Sequence, residues 1–272
     1  CAMMRNLAFM IFLGLALSLP VAAASVATAA QPGPARQAAG PSNEECLGCH
    51  ADKGLTKQVA GKAVSLFTDE AVLKGSVHGR LECTACHTGI TEVPHAEKLP
   101  PVACQKCHAM AARTDATSIH GRAAGAARVT CQSCHGTHAV APATTLGAEP
   151  CQACHGPVTR AYLTSVHARA LARGIQDASL CFDCHGAAHR LRSHTDPESP
   201  TFHARTAETC GRCHADRALV ERRHIPIPQA YQLYQKSVHG RAVAAGKPAA
   251  TCNDCHGSHD LRRANDPKSS IY

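Results

Sequence analysis

Five-residue stretches of the form Cys-x-x-Cys-His hold the reactive side chains of this chain. They occur eight times, at 46–50, 83–87, 104–108, 131–135, 151–155, 181–185, 210–214 and 252–256, and take sixteen of the seventeen cysteines. Only Cys1 is left over. Residues i, i+3 and i+4 share one face of a short helix. Two thiols can therefore form thioethers at one porphyrin edge while the adjoining imidazole ligates the iron. The expected thioether formers are Cys46, Cys49, Cys83, Cys86, Cys104, Cys107, Cys131, Cys134, Cys151, Cys154, Cys181, Cys184, Cys210, Cys213, Cys252 and Cys255. The expected proximal ligands are His50, His87, His108, His135, His155, His185, His214 and His256, and the cofactor they imply is eight covalently attached haem c groups.

Two other uses of paired cysteines explain less. A disulfide framework gives no reason for a histidine directly after the second cysteine all eight times. A zinc ribbon needs four converging ligands and has no use for that adjacent imidazole.

A second set of histidines recurs in register with the motifs. A Ser-x-His element stands before every even-numbered motif and contributes His78, His120, His167 and His239. Another histidine follows each even-numbered motif: His95, His138, His189 and His259. The order haem motif, Ser-x-His, haem motif, His defines four two-haem units, 46–95, 104–138, 151–189 and 210–259. The eight repeat histidines are candidate sixth ligands, giving bis-histidine coordination throughout. His239 and His259 are then expected to serve two different irons, neither necessarily the one between them. His95 is the irregular member, since it lies eight residues past His87 where the others lie three or four past theirs. His194, His203 and His224 have no counterpart in every unit and read as linker or surface residues.

The elements that must position these ligands read as short helices joined by loops. Pro157 and Gly174 bracket one Ser-x-His segment and Pro228 and Gly246 another, which predicts a helix through each. In the first unit, Thr68 or Asp69 followed by an acidic first turn gives a weaker helix start. The stretches "AEKLPP", "APATTLGAEP" and "SHTDPESPTFHART" between units are proline-rich punctuation. No strand period stands out. With no Trp, five Phe and four Tyr in 272 residues, large apolar side chains are scarce. The expected fold is therefore mostly irregular with short α-helices and little or no β-sheet, a multihaem cytochrome c array whose core is formed by haems.

Residues 1–29 read as a signal peptide: Arg5, an apolar run from Leu7 to Leu19, and small residues before Gln31. An uncleaved anchor is the other reading, and would give membrane association through the N-terminal segment. Residues 30–45 form a linker and 46–272 the octahaem region. Either way the haem-bearing part is expected outside the cytoplasm, periplasmic or extracellular. Arg5 is the only charge in the leader, so the formal +8 of the whole chain becomes +7 after cleavage. Ionised haem propionates would offset most of that charge. No aromatic-basic surface supports a nucleic-acid partner.

Residues 259–272, "HDLRRANDPKSSIY", align without gaps on 189–202, "HRLRSHTDPESPTF". In the earlier copy the next haem motif begins eight residues later, at Cys210. This predicts a chain truncated at 272 that continues into a further haem motif; a short tail is the alternative.

The alternation of "CxxCH", "SVHG" and "CxxCHGxH" resembles the doubled-CXXCH multihaem c-type cytochromes, a group related to class III cytochromes and periplasmic decahaem electron conduits, over residues 46–272. The resemblance implies an electron carrier in an exported, anaerobic respiratory chain, exchanging electrons with redox protein partners such as a membrane quinol-oxidising cytochrome and a terminal reductase. Irons with two imidazoles have no open position, which favours electron transfer over substrate conversion. The alternative is an octahaem enzyme of the nitrite, hydroxylamine or tetrathionate type with one catalytic haem. The stretch holding His203, His224, Tyr231 and Tyr234, or the haem partnered by His95, would be its place.

Overall fold

The structure is a computed structural model that describes residues 40–125 and 128–272, and Gly40–Tyr272 cluster as one unit. The leader expected over 1–29 and the first ten residues of the linker lie outside the described residues. Among the described residues, no helix is long and apolar enough to cross a membrane.

The fold is mostly helical and irregular. The longest described helix, Thr206–His214, has nine residues, and the described sheet has two strands. Those strands, β1 (Thr56–Val59) and β2 (Lys62–Ser65), pair antiparallel with Val59 opposite Lys62. Ala60 and Gly61 make the tight turn, both at positive φ (50° and 76°), a backbone twist that matches the strands it joins. Strict alternation is missing from this hairpin because most of both strands is exposed. That is why no strand period marks it in the sequence.

Each motif sits at a helix or tight turn, and at four of the eight a side chain nearby in sequence fixes its start. In the even motifs of the second, third and fourth units, the residue just before the second cysteine caps the helix on which it lies. Ser133 accepts the Thr130 N–H (3.1 Å), Asp183 the Leu180 N–H (2.6 Å) and Asp254 the Thr251 N–H (2.6 Å). In the first motif, Ser42 and Glu45 form a reciprocal capping box at the start of Asn43–His50. Asn43 also accepts the Cys83 N–H (2.7 Å), which ties the second motif to the first.

The helices expected through the Ser-x-His segments are broken at the serine. Gly156–Leu163 and Val166–Ala172 are separate, with Ser165 extended between them, and Ala230–Lys236 and Val238–Ala244 are separated in the same way by Ser237. Ser165 accepts the Ala168 N–H (3.1 Å) and Ser237 the Gly240 N–H (3.0 Å), so each serine is the N-cap of a second helix. A serine hydroxyl competes with helical backbone bonds and is favoured at such a boundary over a helix interior. Gly174 and Gly246 do end the second helices, at φ 82° and 70°. In the first unit Asp69 is the N-cap of Glu70–Gly75, as one of the two expected starts.

The protein atoms alone make almost no core. The buried hydrophobic residues described are Ile90, Ala148, Ala168, Ala207, Leu219 and Val220, and the largest fully buried side chains are Ser118, Ser165 and Ser199. Met110, Leu163, Leu233 and Val238 are more than half exposed. A chain this long normally buries many Leu, Ile and Phe side chains.

Candidate metal and cofactor sites

The structure brings fourteen of the sixteen candidate histidines together in facing pairs. The pairs are His50 with His95, His78 with His108, His87 with His138, His120 with His155, His135 with His189, His167 with His214, and His185 with His259. Each joins one Cys-x-x-Cys-His imidazole to one repeat imidazole. Ring centroids are 5.8 to 6.4 Å apart. Direct ring stacking would bring them closer. One metal held between two imidazoles would give such a spacing: about 2.0 Å from metal to each nitrogen and roughly 1.1 Å from nitrogen to centroid, on both sides, comes to about 6.2 Å. The residues present therefore fit an iron between the rings of each pair.

The partners are not those nearest in sequence. The Ser-x-His imidazoles of the first three units face the first motif of the following unit: His78 to His108, His120 to His155 and His167 to His214. The trailing imidazoles reach back to the second motif of the preceding unit: His138 to His87, His189 to His135 and His259 to His185. His95 does not reach back in this way and lies against His50 of its own unit. Its longer spacing thus goes with a different target. The expectation that His239 and His259 serve different sites is matched on one side: His259 faces His185. His239 and His256 stand outside the seven pairs, so the two-imidazole arrangement expected throughout is formed within the described residues at seven motifs, not eight.

Backbone geometry sets these reaches. Gly136, Gly186 and Gly257, each directly after a motif histidine, take φ of 71°, 89° and 77° and end the motif helix. The left-handed residue swings the chain away, so the trailing histidine leaves its own motif. Successive units are also joined by a backbone bond. The residue after each of the first three Ser-x-His serines donates to a carbonyl two residues past the next unit's trailing histidine: Val77 to Val140 (2.9 Å), Ile119 to Leu191 (2.8 Å) and Val166 to Leu261 (2.9 Å).

Ring protons are placed for metal binding where a carbonyl holds them. The Leu66 carbonyl, just past β2, takes a hydrogen bond from His50 Nδ1 (2.8 Å), and the Ala96 carbonyl takes one from His95 Nδ1 (2.9 Å). A carbonyl can only accept, so Nδ1 carries the proton and Nε2 keeps its lone pair. Burial, reinforced by the facing imidazole, lowers the pKa of His87, His135, His167 and His185 below the ordinary value. Burial and then the nearby His256 do the same to His214. Neutral imidazole is the form that ligates a metal.

None of the sixteen motif cysteines is in a disulfide. In each unit the first cysteines of the two motifs are neighbours: Cys46 and Cys83, Cys104 and Cys131, Cys151 and Cys181, Cys210 and Cys252. Burial, then the adjacent thiol, pushes Cys83 and Cys181 each up to about 11. Cys184 of the third unit is close to Cys213 of the fourth. Among the described residues no three His, Cys, Asp or Glu side chains converge as a zinc site requires. A cavity of about 530 Å³ lies between Cys107–His108 and Ala187–Arg190, and a smaller one of about 200 Å³ adjoins His256 and Asp260.

Four of the five residues reserved for a catalytic haem, all but His224, have other partners. His203 bonds to Asp254 (2.8 Å) and Tyr234 donates to the Ala250 carbonyl (3.1 Å). Tyr162 of the third unit makes the equivalent bond to the Ser179 carbonyl (2.7 Å), and burial pushes its hydroxyl up to about 12. Tyr231 packs against Gly211, where any side chain would run into its ring. His95 is taken by His50. Sequence reading missed the serine caps, the Leu66 carbonyl and the clamp between units. Only the first had a signal, a serine always two residues before the histidine.

No family model, curated protein or solved structure matches the chain.

Proposed function

We propose that this protein is an exported multihaem c-type cytochrome that carries electrons along a row of haem c groups, most of them held between two histidines. The observation that carries this reading is the set of seven facing imidazole pairs at the separation one metal sets, each containing one Cys-x-x-Cys-His imidazole. The near-absence of buried apolar side chains supports it further, because eight macrocycles would fill the space the protein leaves. Bound haem would supply reversible one-electron chemistry. The chain would hold each group by two thioethers and, at the seven paired motifs, close both axial faces so that small molecules find no iron to bind there. Neighbouring first cysteines within each unit would keep successive groups close enough for exchange. Electron partners would be a quinol-oxidising membrane cytochrome on one side and a terminal reductase on the other, with the protein periplasmic or extracellular.

The test is the intact mass of the protein matured in a c-type haem assembly host. The reading expects eight covalent haem additions and a loss of haem at a given motif when its cysteines are replaced by serine. A chain that matures without covalent haem would overturn it.

A further inference from the structure

The fourth unit differs from the other three in the face it presents. At every earlier boundary three positions are filled together. A Ser-x-His imidazole meets the next unit's first motif, a second-motif imidazole receives the next unit's trailing histidine, and the residue after the serine donates its N–H to the next unit's backbone. In the fourth unit the corresponding groups are His239, His256 and the Val238 N–H. His239 and His256 are outside the facing pairs although all nineteen histidines lie in the described residues, and the Val238 N–H makes no cross-unit bond among them. Val238 is also the most exposed residue of its class, at 68 % against 52 % for Val77 and 45 % for Ile119.

We infer that this face receives a fifth two-haem unit of the same design, joined through residues 259–272; the inference rests on the haem reading above. The fifth unit's first-motif histidine would take His239, its trailing histidine would cap the haem on His256, and its backbone carbonyl would accept the Val238 N–H. Residues 259–272 already follow the path by which 189–202 lead into a haem motif. Asp266, Ser269 and Tyr272 donate to the carbonyls of Arg263, Asp266 and Ser269, as Asp196, Ser199 and Phe202 donate to Ser193, Asp196 and Ser199. The ion pairs Arg262–Asp266 (3.2 Å) and Arg192–Asp196 (2.8 Å) also correspond. After Phe202 the chain enters Thr206–His214, whose His214 faces His167.

A second copy fits less well. In a head-to-tail contact the first unit has nothing to offer, because His50, His78, His87 and His95 are all paired within the chain. In a reciprocal tail-to-tail contact His239 would face His256, placing a Ser-x-His imidazole on a second motif, a combination none of the seven pairs uses.

The experiment is spin-state and carbon monoxide titration of the matured chain ending at Tyr272, with its haem count and mass in solution. The expected result is a monomer with eight haems, of which one is high-spin when oxidised and one binds carbon monoxide when reduced. His239→Ala leaves that count at one, because His239 has no iron on this chain. Extension through the next unit abolishes carbon monoxide binding at the His256 haem, and His239→Ala in the extended chain opens one haem again. Eight low-spin haems in a monomer ending at Tyr272 would overturn the inference. So would a dimer with eight low-spin haems in which His239→Ala exposes one haem per chain, the mark of a second copy as the occupant. Absence of covalent haem would overturn the haem reading itself.

Discussion

The imidazole of His259 lies parallel to that of His185, 8° between planes and 5.9 Å between centroids, although Cys252–His256 is the motif immediately before it. The trailing imidazole and the motif that precedes it have different partners. His138 and His189 make the same backward step, to His87 and His135. The units are interlocked, the second and third each lending one imidazole forward and one backward.

Interlocking predicts where a vacancy opens. His259→Ala exposes the haem on Cys181–His185, and His95→Ala the haem on Cys46–His50. Each variant adds one carbon monoxide-binding haem to the reduced protein. Combining His259→Ala with replacement of Cys181 and Cys184 by serine removes the added site together with its haem. Replacing Cys252 and Cys255 in its place leaves the added site intact.

The cofactor-free chain is expected not to fold. The six buried apolar residues among those described, none larger than Leu, give a small hydrophobic term against an ordering cost of about 1–2 kcal/mol per residue. Protein made in a cytoplasm without haem attachment would show no cooperative denaturant transition and no protected amides by hydrogen exchange. The matured protein shows both.

Much of this was legible in the sequence, and what was not has identifiable causes. The sixteen motif cysteines and both histidine sets follow from spacing, and their grouping from recurrence. Which imidazole faces which was not, because the clamp from Val166 to Leu261 that helps decide it joins residues far apart in the sequence. The irregular spacing of His95 looked like a weakness in the pattern. It goes with a partner in its own unit, His50, where the other trailing histidines reach back one unit. The breaks at Ser165 and Ser237 were hidden inside stretches whose Pro and Gly ends mark one helix.

The glycine of "SIHGR" is a steric requirement. A Cβ at Gly121 would collide with the Asp115 carbonyl, whereas one at Gly48 would meet nothing within 4 Å. Gly121→Ala should lower stability by about 1–3 kcal/mol, the usual cost of overpacking. Gly48→Ala should change it little. Denaturant midpoints of the two matured variants give the comparison.

Asp254 links the last motif to acid stability. The Thr251 N–H, then His203, holds its carboxyl below the ordinary carboxylate range. A folded-state pKa below the unfolded one stabilises the protein above the unfolded value, and that stability is lost as pH falls through the folded value. Denaturant midpoints of wild type and Asp254→Asn should therefore differ at pH 7 and converge below about pH 4. A constant difference down to pH 2 would contradict this role.

The paired imidazoles are tested most directly by the near-infrared magnetic circular dichroism of the oxidised, fully loaded protein, in which the charge-transfer band reports the axial ligands of each low-spin haem. The account predicts that at least seven of the eight haems carry two histidines. A spectrum dominated by high-spin haem, or by low-spin haem with another ligand in place of the second imidazole, would contradict it.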